Sequence, residues 1–372
     1  MNHIPVSKPY FWGDELSNVT EAITTGWISS NGKFIDEFEQ KFAEAVEAKY
    51  AVSLNNGTSA LHLACDLIGL KRGDEVIVPD FSMIAPIFAL EYMGCIPVPV
   101  DVDDTWNINP ELIEQAITEK TKAILVVHNY GHPSDMHKIS AIAKKHGLKI
   151  IEDAAEAIGA RQNDIQVGSW GDVTCYSLYA NKIITTGEGG MLTTNDEHLY
   201  QLAKSKRNMS FGPDQENRFL HEKVGYNFRL TNIQAAIGCA QVHNLEASIN
   251  HKISIANEYS SILKDVPGIT LPPSAQNVKN VYWVYGILIE ETFGLSKNKL
   301  QEVLLHAGIE TRSFFAPVHQ QPFLKHVSFN PSKYHKSVKL ARQGLYLPSY
   351  IGLSSESIMK VADTIAQVQL KI

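Results

Sequence analysis

No stretch of this chain is long and apolar enough to cross a bilayer. The longest apolar run, Phe81 to Leu90, carries Pro86 and is about half the length a spanning helix needs. Cysteine is scarce. Cys65, Cys95, Cys175 and Cys239 stand far apart in apolar contexts, without metal-ligand spacing. A disulfide framework and a cysteine metal site are therefore not expected, and the chain reads as cytoplasmic with buried thiols. Basic runs are missing, the net charge is −7, and basic residues do not interleave with aromatic ones. Nucleic acid is thus not an expected partner, and neither is a membrane. Met1 to Glu15 has no apolar core of signal-peptide length, and low-complexity segments and internal repeats are absent.

What is present is a chain of 372 residues, 44% hydrophobic and 20% charged, as in soluble globular proteins. That length exceeds one compact core and suits two domains. Residues 14–25 read as a short helix ending at Gly26. Phe34, Phe38, Phe42 and Val46 then recur every four residues on one face of an amphipathic helix. From Tyr50 short apolar strands alternate with helices. Strands are expected at 50–54, 75–78, 96–100, 123–127 and 149–152, and helices at 60–68, 82–93 and 134–146. This alternation indicates a mostly parallel sheet covered on both faces, with ligands bound beyond the carboxyl ends of its strands. A polar stretch, 208–223, is followed by a long helix expected over 233–263. The tail has a strand candidate at 282–289 and helices near 297–306 and 355–370, a pattern for a smaller α+β domain. We place the boundary at Leu245, giving domains 1–245 and 246–372.

The chemistry concentrates in Val173 to Asn195. A β-branched run leads to Ser177, then Lys182, then the turn Gly187-Glu188-Gly189-Gly190 and a second strand from Met191. A lysine held among apolar and aromatic neighbours loses affinity for its proton, and a neutral amine is the nucleophile for a Schiff base. The same residue in another setting is an ordinary surface lysine. Gly57-Thr58-Ser59 follows a strand and opens a helix. Free N–H groups at that end favour a phosphate, although Thr and Ser are also common N-caps. Asp153 closes a buried strand beside Ala154 and Ala155, where it can face a cationic ring nitrogen or cap a turn. Glu156 can reach the same place or stay solvated. Together, an anion-binding helix end, an acid, a serine and a lysine at sheet-end positions suit pyridoxal 5'-phosphate (PLP).

These residues resemble the PLP-dependent sugar aminotransferases of the DegT/DnrJ/EryC1/StrS family. The resemblance runs essentially end to end. It includes Trp27-Ile28-Ser29-Ser30, Asn56-Gly57-Thr58-Ser59-Ala60-Leu61-His62, Gly73-Asp74-Glu75-Val76-Ile77-Val78-Pro79, Glu152-Asp153-Ala154-Ala155-Glu156, Gly187-Glu188-Gly189-Gly190 and Gly225-Tyr226-Asn227-Phe228-Arg229-Leu230-Thr231-Asn232. It implies the aspartate aminotransferase-like fold (fold type I), with a mostly parallel seven-stranded sheet. It also implies Lys182 as the Schiff-base lysine and Asp153 as partner of the pyridine nitrogen, with Glu156 near the ring hydroxyl. Gly57, Thr58, Ser59 and Ser177 would hold the phosphate, joined by Asn227 from the second subunit of a homodimer. Met83 stands where the family usually places an aromatic ring against the cofactor face. Members that dehydrate their sugar carry histidine at the lysine position, so Lys182 favours transamination, with L-glutamate as amino donor.

The wording Ser177-Leu178-Tyr179-Ala180-Asn181-Lys182 is most similar to the GDP-perosamine synthase group, which aminates C4 of GDP-4-keto-6-deoxymannose. Enzymes that make dTDP- or UDP-linked 4-amino-4,6-dideoxyglucose, the viosamine type, are close relatives, and both nucleotide-linked 4-keto-6-deoxyhexoses stand as substrate readings. Arg312 and His319 are candidate contacts to the sugar nucleotide, since a planar guanidinium suits a pyrophosphate, or are surface residues of the small domain. The product is expected in O-antigen or another surface polysaccharide. A reading of another class, a catalytically silent binding or regulatory protein on the same fold, is disfavoured by the presence of both Lys182 and Asp153.

Overall fold

The computed structural model describes residues 3–212 and 214–370. Two helices, α1 (Asp14–Thr24) and α2 (Lys33–Ala45), open the chain. The aromatic stripe of α2 is wholly inside, with Phe34, Phe38 and Phe42 buried. Then β1 (Tyr50–Leu54), α3 (Gly57–Leu67), β2 (Glu75–Pro79), α4 (Ala85–Met93), β3 (Ile96–Val100), α5 (Pro110–Ala116), β4 (Thr121–Val127), α6 (Met136–His146) and β5 (Lys149–Asp153) alternate. A short hairpin of β6 (Arg161–Gln162) and β7 (Ile165–Gln166) leads to β8 (Val173–Ser177) and β9 (Gly190–Thr194).

Seven of these strands form one sheet in the order β1-β9-β8-β5-β4-β2-β3. β3, β2, β4, β5 and β8 run parallel, whereas β9 is antiparallel to both of its neighbours. The expected fold class is the one observed. Strands such as β4 are apolar on both faces because helices cover both sides of the sheet. The register sets Val127 beside Asp153 and Asp153 beside Cys175, so the carboxyl ends of β4, β5 and β8 share one edge.

The remainder comprises α7 (Glu197–Arg207), α8 (Asn232–His243), α9 (Leu245–Leu263), β10 (Ile269–Thr270), β11 (Val278–Lys279), β12 (Tyr285–Ile289), α10 (Lys297–His306), β13 (Arg312–Ser313), α11 (His335–Gln343), β14 (Gly344–Leu347) and α12 (Ser355–Gln369). A four-stranded sheet, β10-β12-β14-β13, is antiparallel throughout. It buries Tyr285, Ile287 and Leu345 against Tyr259, Leu304 and Val361 of the helices. Ile4 belongs to that same core and bridges to Ile309, so the opening residues pack with the C-terminal elements.

One helix expectation is corrected. The helix anticipated over 233–263 is two helices, interrupted at Asn244 (φ −102°, ψ 17°). The Asn244 side chain donates to the Ala240 carbonyl at 3.0 Å. This local bond competes with continuation of the helix. The start of α8 is sharper, because Thr231 and Gln234 form a reciprocal capping box.

Candidate active site

A cavity of about 460 Å³ opens where β5 and β8 end, and Asn56, Gly57, Thr58, Asp153, Glu156, Ser177 and Lys182 all line it. The sheet brings these together from three loops. β1 delivers Asn56 and α3, β5 delivers Asp153 and Glu156, and β8 delivers Ser177 and the loop carrying Lys182.

At the α3 end, the Asn56 side chain accepts the Ser59 N–H at 2.8 Å and so caps the helix. Gly57 and Thr58, in the first turn, have no carbonyl partner within the helix. A Cβ on Gly57 would lie 3.0 Å from the Cβ of Ser177. Glycine therefore lets the helix end close on the Ser177 hydroxyl, forming a cradle of N–H and O–H donors suited to a phosphate. Ser59 is buried behind the cap, and its N–H is already taken up by Asn56.

Lys182 is 11% exposed. Its Nζ lies 3.7 Å from Glu156 Oε1 and 3.6 Å from the centroid of the Trp283 ring. Burial lowers its pKa, while the charges of Glu156 and Asp153 oppose that fall. The loop that carries it is clamped, since the Trp283 indole N–H donates to the Asn181 carbonyl at 2.8 Å and Lys182 N–H to Tyr179 at 2.9 Å. Burial pushes Glu156 up to about 7 against the pull of Lys182 and of the Tyr130 N–H, which it accepts at 2.8 Å. Tyr130 holds a left-handed backbone (φ 57°) in presenting that N–H.

Asp153 is buried. Burial raises its pKa, opposed by the Ala155 N–H at 3.0 Å and by the charge of Lys182. Beside it, Glu152 points to the other face of the sheet. Its carboxylate accepts the N–H groups of Gly168, Trp170 and Gly171, and faces His128 Nε2 at 3.1 Å. His128 Nδ1 accepts the Ser134 N–H at 3.0 Å, so the proton sits on Nε2 and is donated to Glu152. Glu152 thus fixes the backbone from which Asp153 projects.

Three further sequence candidates fall differently. Met83, 47% exposed, lines the cavity, and Arg312 reaches it from β13. Asn227 is exposed, forms a bridge with Asn208 and does not line the cavity of this chain. His319 does not line it either. Its side chain is 4% exposed, its Nδ1 lies 2.8 Å from Asp80 Oδ2, and its ring stacks on Tyr334. Trp283, Tyr179, Glu188, Phe315 and Tyr346 also line the cavity, and no motif in the sequence marks them for it. Glu188 belongs to the turn Gly187-Glu188-Gly189-Gly190. Trp283 comes from a segment that reads only as a strand.

The cradle at Gly57 and Ser177, the buried acid Asp153 and the buried amine Lys182 fit PLP. The DegT/DnrJ/EryC1/StrS aminotransferase family model matches residues 11–366. The chain belongs to this family. It is 40% identical to the GDP-perosamine synthase of Escherichia coli O157:H7, over 98% of each chain. It is also 40% identical to the GDP-perosamine synthase of Caulobacter vibrioides, again over 98% of each. Among solved structures, the PLP form of the putative sugar aminotransferase Spr1654 from Streptococcus pneumoniae superposes with a TM-score of 0.93 at 26% identity, over 100% of this chain and 99% of that one. This family member is a PLP-dependent sugar aminotransferase.

Proposed function

We propose that the enzyme moves the amino group of L-glutamate to C4 of GDP-4-keto-6-deoxymannose, giving GDP-perosamine. The observation that carries this is the buried amine of Lys182, set between Glu156 and Trp283 in the cavity. The relatives named GDP-perosamine synthase support the substrate. Residues 1–245 would form the cofactor-binding domain and 246–372 the smaller one, in a cytoplasmic homodimer whose product enters O-antigen.

Bound PLP supplies an electron sink for a carbanion formed next to nitrogen. Lys182 Nζ would anchor the cofactor aldehyde. Burial, which lowers its pKa, favours the neutral amine, and that amine would take the α-proton of glutamate and later deliver a proton to C4 of the sugar. Asp153 would stand ionised against the ring nitrogen, since a cation there offsets the cost of its burial. Glu156, poised near 7, would hold or release a proton beside both Lys182 and the ring hydroxyl. Gly57 and Thr58 N–H groups with the Ser177 hydroxyl would bind the phosphate, with Ser59 behind them and Asn227 reaching in from the second subunit. Met83 would cover one ring face, a thioether being able to pack on an aromatic ring. Arg312 would meet an anionic group of a substrate.

The test is isotopic. The holoenzyme is given L-glutamate labelled at its nitrogen, with GDP-4-keto-6-deoxymannose, and the sugar nucleotide is read by mass spectrometry. Label in the GDP-sugar, lost in Lys182→Ala, is expected. Unlabelled sugar, or full transfer by Lys182→Ala, would sink the reading.

A further inference from the structure

Behind Trp283 lies a second, smaller cavity of about 30 Å³ that shares Lys182, Trp283 and Arg312 with the first. Among the described residues, four basic side chains line it, Lys8, Lys182, Lys252 and Arg312, and no carboxylate does. Lys252, from α9, is its least usual member. It is 5% exposed, and among the described residues its Nζ bonds only to the Ser349 carbonyl and, at 3.2 Å, to the Ser349 hydroxyl. Burial alone acts on it, with no carboxylate to offset the cost, and takes its pKa down to about 7. An ammonium has three N–H donors, and desolvating one without a counter-charge is costly. Such an arrangement is poised for an anion that arrives with a ligand.

The geometry points to this cavity as the pocket for the side-chain carboxylate of the amino donor, with Lys252 as its anchor. Size favours a carboxylate, because the space holds about two waters, roughly the footprint of a planar CO₂⁻ and less than that of a diphosphate. Position separates the donor's two carboxylates. The α-carboxylate is attached to the reacting carbon and must stay beside Lys182, where Arg312 lines both cavities. Arg312 also faces Glu310 at 3.6 Å, so it is only partly committed. Lys252 lines the inner cavity and not the outer one, as a distal group requires. The segment from Val6 to Tyr10 closes this side, held by the Gln241 amide on the Tyr10 carbonyl at 3.0 Å. The proposal rests on the aminotransferase reading and names which donors it takes.

The test follows the cofactor absorbance of the holoenzyme in the donor half-reaction alone. L-Glutamate is compared with L-norvaline, which keeps the chain length and lacks the distal carboxylate. In Lys252→Met the half-saturating glutamate concentration is expected to rise about tenfold or more, the size of one charge-assisted hydrogen bond. Norvaline and the sugar nucleotide should respond as in the wild type. Equal loss for glutamate and norvaline would make Lys252 a structural lysine and overturn the proposal. A shift confined to the sugar nucleotide would overturn it too. Should the variant fail to fold, wild-type competition decides. Glutarate should compete with glutamate about tenfold or more better than pentanoate does, and equal competition contradicts the assignment. A wild-type enzyme deaf to glutamate refutes glutamate as the amino donor in the proposed function, whereas a normal response in Lys252→Met refutes only this inference.

Discussion

Lys182 Nζ and Glu156 Oε1 are 3.7 Å apart, and both side chains are nearly shut off from water. Burial drives the two pKa values toward each other, the amine down and the carboxyl up. Burial thus narrows the gap between the two groups, which favours proton exchange between them over that of a lysine and a glutamate in water.

Glu156 gives a pH signature with a definite sign. Its pKa rises from 4.5 to about 7, so the folded protein holds an extra proton between those values. The stability contribution is fully present below the unfolded pKa and is lost as pH rises through about 7. Glu156→Gln keeps an oxygen for the Tyr130 N–H and removes the titration. Its melting temperature should gain on the wild type between pH 5 and pH 8, and the acid limb of the glutamate half-reaction near neutrality should disappear. Parallel melting curves across that range would contradict the assignment.

Gly57→Ala tests the phosphate cradle. The added Cβ meets Ser177 at 3.0 Å, so the helix end and the hydroxyl must separate by a few tenths of an ångström. The fold should survive, because the glycine has no left-handed backbone to lose. Cofactor affinity, read by titrating PLP into the cofactor-free protein, should fall about tenfold or more, as for one lost bond to a charged group. Unchanged affinity would place the phosphate elsewhere.

His319 was a substrate candidate in the sequence and is a buried partner of Asp80 in the structure. Burial raises the Asp80 pKa, and the His319 N–H and ring counter it. His319→Leu should cost on the order of 3 kcal/mol in denaturant unfolding, because it strips a buried carboxylate of its ring partner. The half-saturating concentration of the sugar nucleotide should not move. A variant of normal stability with weakened sugar binding would restore the sequence-based role.

The contrast between these residues shows where sequence stops being legible. Local patterns were enough for the stripe Phe34, Phe38, Phe42, for the alternation of strands and helices, and for the placing of Gly57, Asp153, Ser177 and Lys182 at or just beyond the ends of β1, β5 and β8. The break at Asn244 had no proline or glycine to announce it. The hairpin of β6 and β7 is two residues per strand, too short for any period. Trp283 over Lys182 and Asp80 beside His319 are contacts across 101 and 239 residues of chain. Neither side chain's neighbourhood shows in its local sequence, so the Trp283 ring over Lys182 and the Asp80 carboxylate beside His319 are visible only in the fold.

The most direct measurement is the visible spectrum of the purified holoenzyme through two additions. L-Glutamate goes in first. GDP-4-keto-6-deoxymannose and a dTDP-4-keto-6-deoxy sugar then go into parallel cuvettes. The cofactor band should bleach with glutamate and return with the GDP-sugar alone. A band that returns only with the dTDP-sugar would overturn the substrate. A protein that takes up PLP without forming a band sensitive to glutamate would overturn the role of Lys182, and with it the proposed reaction.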